Sequence, residues 1–464
     1  MAKHNPIKTR RSWLIGILLV VATATPSSAQ TEYQQLKVPD EFKNPRKFGE
    51  LRKQKNRALR DGGDTDVLDN YYKRFFFPAM TRNENHGKLS KMRSDLQKDF
   101  QQCRAPQTHA YIRDLAGRYC KGMATKPDFH PTVRYNAMLI LGILNESEAD
   151  LRGGRPAQPW GKALGTLAKG LNDPDESVQI AALLGLRRHA ELQSQPNAPA
   201  PFSERIRNTI TKQYLLPVLA DTELAVGHDP EVRDWKRQIA AETIGFANPT
   251  PSPEVLKALT DVMKDKESDI TLRAQVVESL GRLDLKQAKV TPQKLVEMVA
   301  VVAADSCGYE LQELTELAAA GGRYGRGGRR PQSGFPGMGR PMEDEELEVA
   351  DEKTMPSRRR LIERLVLLHR GLAGDKKLNI GGIAAMDEGE TAISMLESRV
   401  TKMLHAAQRV DDDLATYGAR LTRQYESLQS LLPAGEELQE VAPIEESTAE
   451  APAPGEADVA AGQQ

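Results

Sequence analysis

Few residues of this 464-residue chain stand in patterns that do chemistry. The eight histidines are dispersed, none is paired at metal-ligand spacing, and none is followed by Glu. No G-x-S-x-G elbow, H-E-x-x-H pair, C-x-x-C pair or P-loop occurs. The sequence therefore predicts no catalytic residue, no metal ligand, no cofactor-binding residue and no cofactor, and a protein that is not an enzyme. Cys103, Cys120 and Cys307 are too few for a disulfide scaffold. Cys103 and Cys120 fall on neighbouring predicted helices, where they either pair or lie buried as small hydrophobes. A tight hairpin about Pro106 would set their sulfurs on levels too far apart to bridge.

Two groupings remain. Tyr71, Tyr72, Phe75, Phe76 and Phe77 follow residues 37–60, which carry nine basic and three acidic side chains. A basic stretch ahead of aromatics is a candidate docking patch for an anionic surface such as a membrane. An aromatic cluster ahead of a helical array more commonly packs onto its first unit as a cap, and that is the expectation here. The second grouping pairs an acid with a polar or basic residue four positions on: Asp175 with Gln179, Asp229 with Arg233, and Asp269 with Arg273.

These pairs belong to a repeat. Four segments join a turn to an amphipathic helix that closes on Leu/Ile-Gly: His130-Pro131 to Leu144, Asp173-Pro174 to Leu186, Asp229-Pro230 to Gly245, and Asp269 to Leu283. In the first and fourth, the apolar residue before Arg134 or Arg273 is followed by small or apolar residues at +4, +8, +9 and +11, which is one face of a helix. Asp173 and Asp229 are placed to cap, with Pro174 and Pro230 at the first helical position. Partner helices are predicted at 107–123, 160–172, 203–220 and 253–265. Such one-sided helices bury their stripes only by stacking in pairs.

Over residues 107–283 the chain resembles the HEAT-repeat family, whose second helix carries an Asp…Val-Arg…Ala…Leu-Gly pattern. The resemblance implies an all-α solenoid of four to five helix pairs. It also implies a structural ladder between repeats, formed by Asp175, Gln179, Asp229, Arg233, Asp269 and Arg273. The second unit has Gln179 in the arginine place. In the third, counting back from Gly245 puts Lys236-Arg237 where Val-Arg is expected. A degenerate fifth unit is expected at 292–320.

Beyond the repeats, 321–342 is Gly/Arg-rich with five arginines and no acid, and 343–352 carries seven acids. A flexible loop over 321–356 is expected. A helical hairpin at 357–432 follows, with a short helix at 358–372. Its long partner carries heptad rows from Ile393 through Val400, Ala407, Leu414, Leu421 and Leu428, and from Leu396 through Met403, Val410, Tyr417, Gln424 and Leu431. A coiled-coil module over 393–431 is predicted, with self-association through its seam. Residues 433–464 hold eight acids, four prolines and no base, a disordered tail.

At the other end, Lys3, Lys8, Arg10 and Arg11 precede a short apolar run and small residues Ser27 and Ala29, the pattern of a signal peptide over 1–29. Thr9-Arg10-Arg11-Ser12-Trp13-Leu14 also resembles a twin-arginine signal, so either export route is open. The mature chain, cut near Ala29, is expected to be periplasmic or extracellular, with 30–87 as a basic and aromatic arm ahead of a solenoid at 88–320.

Lys+Arg and Asp+Glu number 64 each, which argues against a nucleic-acid partner. Aromatic residues are 5% and charged residues 28%, with mean hydropathy −0.53, a composition that suits helices. The function expected is an exported, non-enzymatic scaffold for an unknown protein partner. The alternative is an envelope enzyme of lyase type on a HEAT-like fold.

Overall fold

The computed structural model describes residues 32–150, 152–198, 202–223, 229–288, 290–325, 343–375, 378, 380–386, 391–409 and 414–432. Residues 1–29, where a signal peptide is expected, the stretch 326–342 and the span 433–464 expected as a tail lie outside the described residues. The protein is all-α. The strands among the described residues are the short antiparallel pieces Asn145–Ser147 and Gln158–Pro159.

The N-terminal arm is folded. Helix α1 (Pro45–Asp61) starts where the Asn44 side chain accepts from the amides of Arg46 and Lys47. Helix α2 (Thr65–Tyr71) passes through a π-turn at Tyr72–Phe76 into α3 (Phe77–Met80), and α4 (Leu89–Gln102) follows. A second π-turn, Thr211–Leu215, joins α9 to α10 below. Each ends two residues before a proline, Pro78 and Pro217. Proline has no N–H, and its ring crowds the carbonyl four residues back. A widened turn relieves that contact without breaking the helix.

Helix pairs come next. They are α5 (Pro106–Thr125) with α6 (Pro131–Ile143), α7 (Leu164–Gly170) with α8 (Glu176–Ser194), and α9 (Glu204–Ile210) and α10 (Leu216–Ala220) with α11 (Pro230–Ala247). Then come α12 (Pro253–Lys264) with α13 (Ile270–Gly281) and α14 (Pro292–Gly325) with α15 (Glu343–Ala373). The second helices form a row, α6 on α8, α8 on α11, α11 on α13 and α13 on α15. Each lies against its own first helix. The cap at Asp229 falls as expected, and Asp269 caps α13 in the same way. At α8 the cap is Asp175, not Asp173. Asp173 accepts the Asp175 amide at 3.0 Å and is left to pair with Arg134.

The Leu/Ile-Gly positions are points where helices nearly touch. A Cβ built on Gly142 would lie 2.7 Å from the Gly185 Cα. One built on Gly281 would lie 2.2 Å from the Gly371 carbonyl oxygen. This second contact corrects the domain division. The expected 358–372 helix is part of α15, which lies directly on α13 and extends the row. Helix also takes up both ends of the span expected as a loop, since α14 runs to Gly325 and α15 begins at Glu343.

The long heptad helix is corrected too. It is two helices, α16 (Thr391–Gln408) and α17 (Leu414–Gln429), packed on each other; α17 also lies on α14 and α16 on α15. Ile393, Leu396, Val400, Met403, Ala407, Tyr417, Leu421 and Leu428 are all buried within the one chain. Between the two helices, residues 410–413 lie outside the described residues. A heptad stripe is satisfied by any apolar partner, and here helices of the same chain supply it. These eight positions therefore present no exposed seam to a second copy.

Candidate functional site

The recurrent arginines of the row are buried and each ties three elements. Arg134 on α6 donates to the Ala124 carbonyl at the end of α5 at 3.3 Å and pairs with Asp173 before α8. Arg237 on α11 donates to the Leu219 carbonyl on α10 at 2.9 Å and to Ser268 Oγ before α13 at 3.1 Å. Arg273 on α13 donates to the Met263 carbonyl on α12 at 2.9 Å and to Asp305 on α14 at 2.8 Å. All three stand eight residues before a glycine, Gly142, Gly245 or Gly281. A guanidinium suits this place because its fork reaches a helix-end carbonyl and a neighbour together.

Of the sequence-assigned arginines, Arg273 reaches from α13 to α12 and α14, and Arg233 stays within its own turn. Arg233 donates to the Thr222 carbonyl and to its neighbour Asp234, both at 2.9 Å. The arginine of α11 that spans its neighbours is Arg237, which counting back from Gly245 locates and counting forward from Asp229 misses. Asp229 and Asp269 cap their own helices through the amides of Glu231 and Thr271. Asp175 caps α8 and stands 4.0 Å from Arg134. Gln179 donates to the Asp173 carbonyl at 2.6 Å and accepts from Lys236 of α11 at 3.2 Å. Gln179, Arg233 and Lys236 meet in a polar groove of about 440 Å³ beside Asp221 and Glu223.

The aromatic cluster is not a docking patch. Tyr71, Tyr72, Phe76 and Phe77 are buried, and Phe75 is half-buried against Phe48. Phe77 stacks on Tyr119 of α5 at 4.8 Å, so the arm lies on the first helix pair. Beneath it Asp99 of α4 accepts from Lys55 of α1 and, at 2.8 Å, from the Tyr72 hydroxyl. Burial and the Asp99 charge push the Tyr72 phenol up, so it stays protonated and donates.

One cavity brings together groups that sequence reading missed. It occupies about 480 Å³ at the C-terminal ends of α8, α11 and α13, next to α9 and the 378–386 segment. Leu186, Phe202, Leu215, Leu283 and Met386 give it an apolar lining. His189 of α8 lines it with no solvent exposure, and neither ring nitrogen makes a hydrogen bond of normal geometry. Burial, with the neighbouring Arg188 charge, lowers its pKa to about 3; the Gly142 carbonyl supports the protonated ring only weakly. Arg282, just past α13, lies over the Phe246 ring at 3.7 Å and donates through Nη2 to Glu278 at 2.7 Å. Its buried Nη1 has no partner. Nothing in the heptad or repeat pattern marks His189, because its neighbours across the cavity come from helices far apart in sequence.

The three cysteines are free thiols. The Cys103 thiol donates to the Asp99 carbonyl at 3.3 Å, and burial pushes it up to about 12, so it is a poor nucleophile. Among the described residues, no three His, Cys, Asp or Glu stand close enough to hold a metal ion, and no helix is long and apolar enough to cross a membrane. No protein-family model, curated protein or solved structure matches this chain.

Proposed function

We propose that the chain is an exported HEAT-like α-solenoid that acts as a non-enzymatic scaffold for a protein partner. The observation that supports this is the row α6, α8, α11, α13 and α15, each helix touching the next in chain order, with buried arginines spanning the turns. An array held by nearest-neighbour contacts offers a long continuous face without needing a central core. Arg187 of α8 and Glu242 of α11 pair across that row at 2.8 Å, and Glu278 lies between Arg282 and Arg370 farther along. These ion pairs tie neighbouring helices of the row to one another.

The test uses the mature chain in its native envelope, with a photo-crosslinking residue at Glu223, exposed in the groove between α8 and α11, or at Lys121, exposed on α5. A discrete cross-linked protein of constant mass is expected from Glu223 and not from Lys121. Absence of any adduct from either position, together with turnover of a substrate by the purified chain, would overturn the proposal.

A further inference from the structure

A groove of about 400 Å³ runs between α1 and α4, on the arm and not on the helical row. Five cations line it, Arg52, Lys55, Lys88, Lys91 and Lys98, against two acids, Asp95 and Asp99. Both acids are already taken. Asp99 pairs with Lys55 and accepts from Tyr72, and Asp95 stands 3.8 Å from Lys98. Arg52, Lys88 and Lys91 are exposed and stand in no ion pair among the described residues. Half-buried Phe48 and Met92 give the groove an apolar edge. The Arg52 guanidinium lies 6.0 Å from the centre of the Phe48 ring, so charge and apolar surface are side by side. Three uncompensated cations beside apolar side chains fit an acidic peptide that is not wholly polar.

The chain carries such a segment. Residues 433–464 hold eight acids and no base. Five of the eight, Glu436, Glu437, Glu440, Glu445 and Glu446, fall within 436–446, interleaved with Leu438, Val441 and Ile444. Residues 447–464 hold the other three acids and only Val459 as a large apolar residue, so 436–446 is the part that matches the groove in both respects. A chain does not reach its own groove with this segment. Helix α17 lies on α14 in the last helix pair, whereas the arm lies on α5 in the first. The helix-to-helix steps of the row between those pairs add up to about 35 Å. From Leu432 to Glu436 the extended backbone spans at most about 14 Å.

We propose that the groove between α1 and α4 binds the acidic segment 436–446 of a second copy of this chain, joining copies head to tail. Arm and tail are different surfaces, so the contact is heterologous and builds open chains or a ring. It is independent of the scaffold reading, which concerns the row of second helices.

Fluorescence anisotropy of a labelled peptide of residues 433–450, titrated with the mature chain, reads the groove directly. Saturable binding in the micromolar range is expected, weakened at least about tenfold between about 50 mM and about 300 mM salt, because exposed charges are screened. Lys88→Glu combined with Lys91→Glu should weaken it at least about tenfold with the helical circular dichroism unchanged. Lys121→Glu, exposed on α5 away from the groove, should leave it within about twofold. A peptide carrying Leu438→Ser, Val441→Ser and Ile444→Ser is expected to bind several-fold more weakly. Light scattering of the mature chain at low salt should show a mass that rises with concentration and returns to the monomer when unlabelled peptide is added in excess. No saturable binding of the peptide to the wild-type chain overturns the inference, as does equal binding by the double variant. A mature chain that stays monomeric at every concentration overturns the second copy as the occupant. Binding to phosphatidylglycerol vesicles without binding to the peptide overturns it in favour of a membrane surface.

Discussion

Arg237 and Arg233 are four residues apart on α11, and their hydrogen bonds separate a residue that spans three elements from one that stays local. Arg237 is buried and completes the Leu219 carbonyl and Ser268. Arg237→Met is expected to cost about 3 kcal/mol, because two buried acceptors lose their donor. Arg233→Ala is expected to cost about 1 kcal/mol, since its Thr222 partner is exposed and its Asp234 partner only half-buried, so water can replace it. Urea unfolding midpoints of the two variants check the contrast. His189 makes a second prediction at this scale. Its pKa of about 3 in the fold lies below the ordinary 6.5, so between those values the unfolded chain binds a proton that the folded chain excludes. Its contribution is complete above pH 6.5 and is lost as pH falls toward 3, on the order of 4 kcal/mol in all. The stability difference between wild type and His189→Phe should therefore shift in favour of the variant from pH 7 to pH 4. A constant difference across that range would refute the assignment.

The elements fit through their small residues. Gly281 and Gly371 bring the backbones of α13 and α15 into contact, and no rotamer change makes room for a methyl group facing a carbonyl oxygen. Gly281→Ala is expected to lower stability by about 2 kcal/mol or more through forced separation of the two helices. Gly49→Ala, inside α1 with open space around it, should raise stability by up to about 1 kcal/mol through helix propensity alone. Thermal unfolding of the pair reads both signs. The heptad stripe behaves the same way: Leu421 faces α14, where the Cys307 thiol reaches its carbonyl at 3.7 Å. Leu421→Asp is expected to unfold this end of the protein by placing an unpaired charge in the core, and light scattering should find its folded fraction at the same mass as wild type.

The whole molecule is a row with a sealed first end. The Lys55–Asp99–Tyr72 cluster and the Phe77–Tyr119 stack join the basic arm to α5, while α16 and α17 lie on α14 and α15 at the other end. Stability in such a row is a sum of neighbouring contacts, so damage stays local. Hydrogen exchange of Gly281→Ala should therefore quicken for amides in α12 to α15 and change little in α1 to α5. Uniform quickening across the chain would instead mark one cooperative core.

Local signals were legible in the sequence: one-sided helices, the cap at Asp229, the Leu/Ile-Gly closures, and the absence of short catalytic motifs. They are readable because capping and amphipathic spacing act within a few residues of chain. Which arginine spans each turn, which partner covers the heptad stripe, and that the helix after the Gly/Arg-rich stretch continues the row were decided by tertiary packing. An apolar face specifies that it must be buried but not by what. Arg233 and Arg237 both follow a cap and differ only in the helix they face. His189 and Arg282 share a cavity although 93 positions apart in the chain. Only the stacking of α8, α11 and α13 brings them to one cavity.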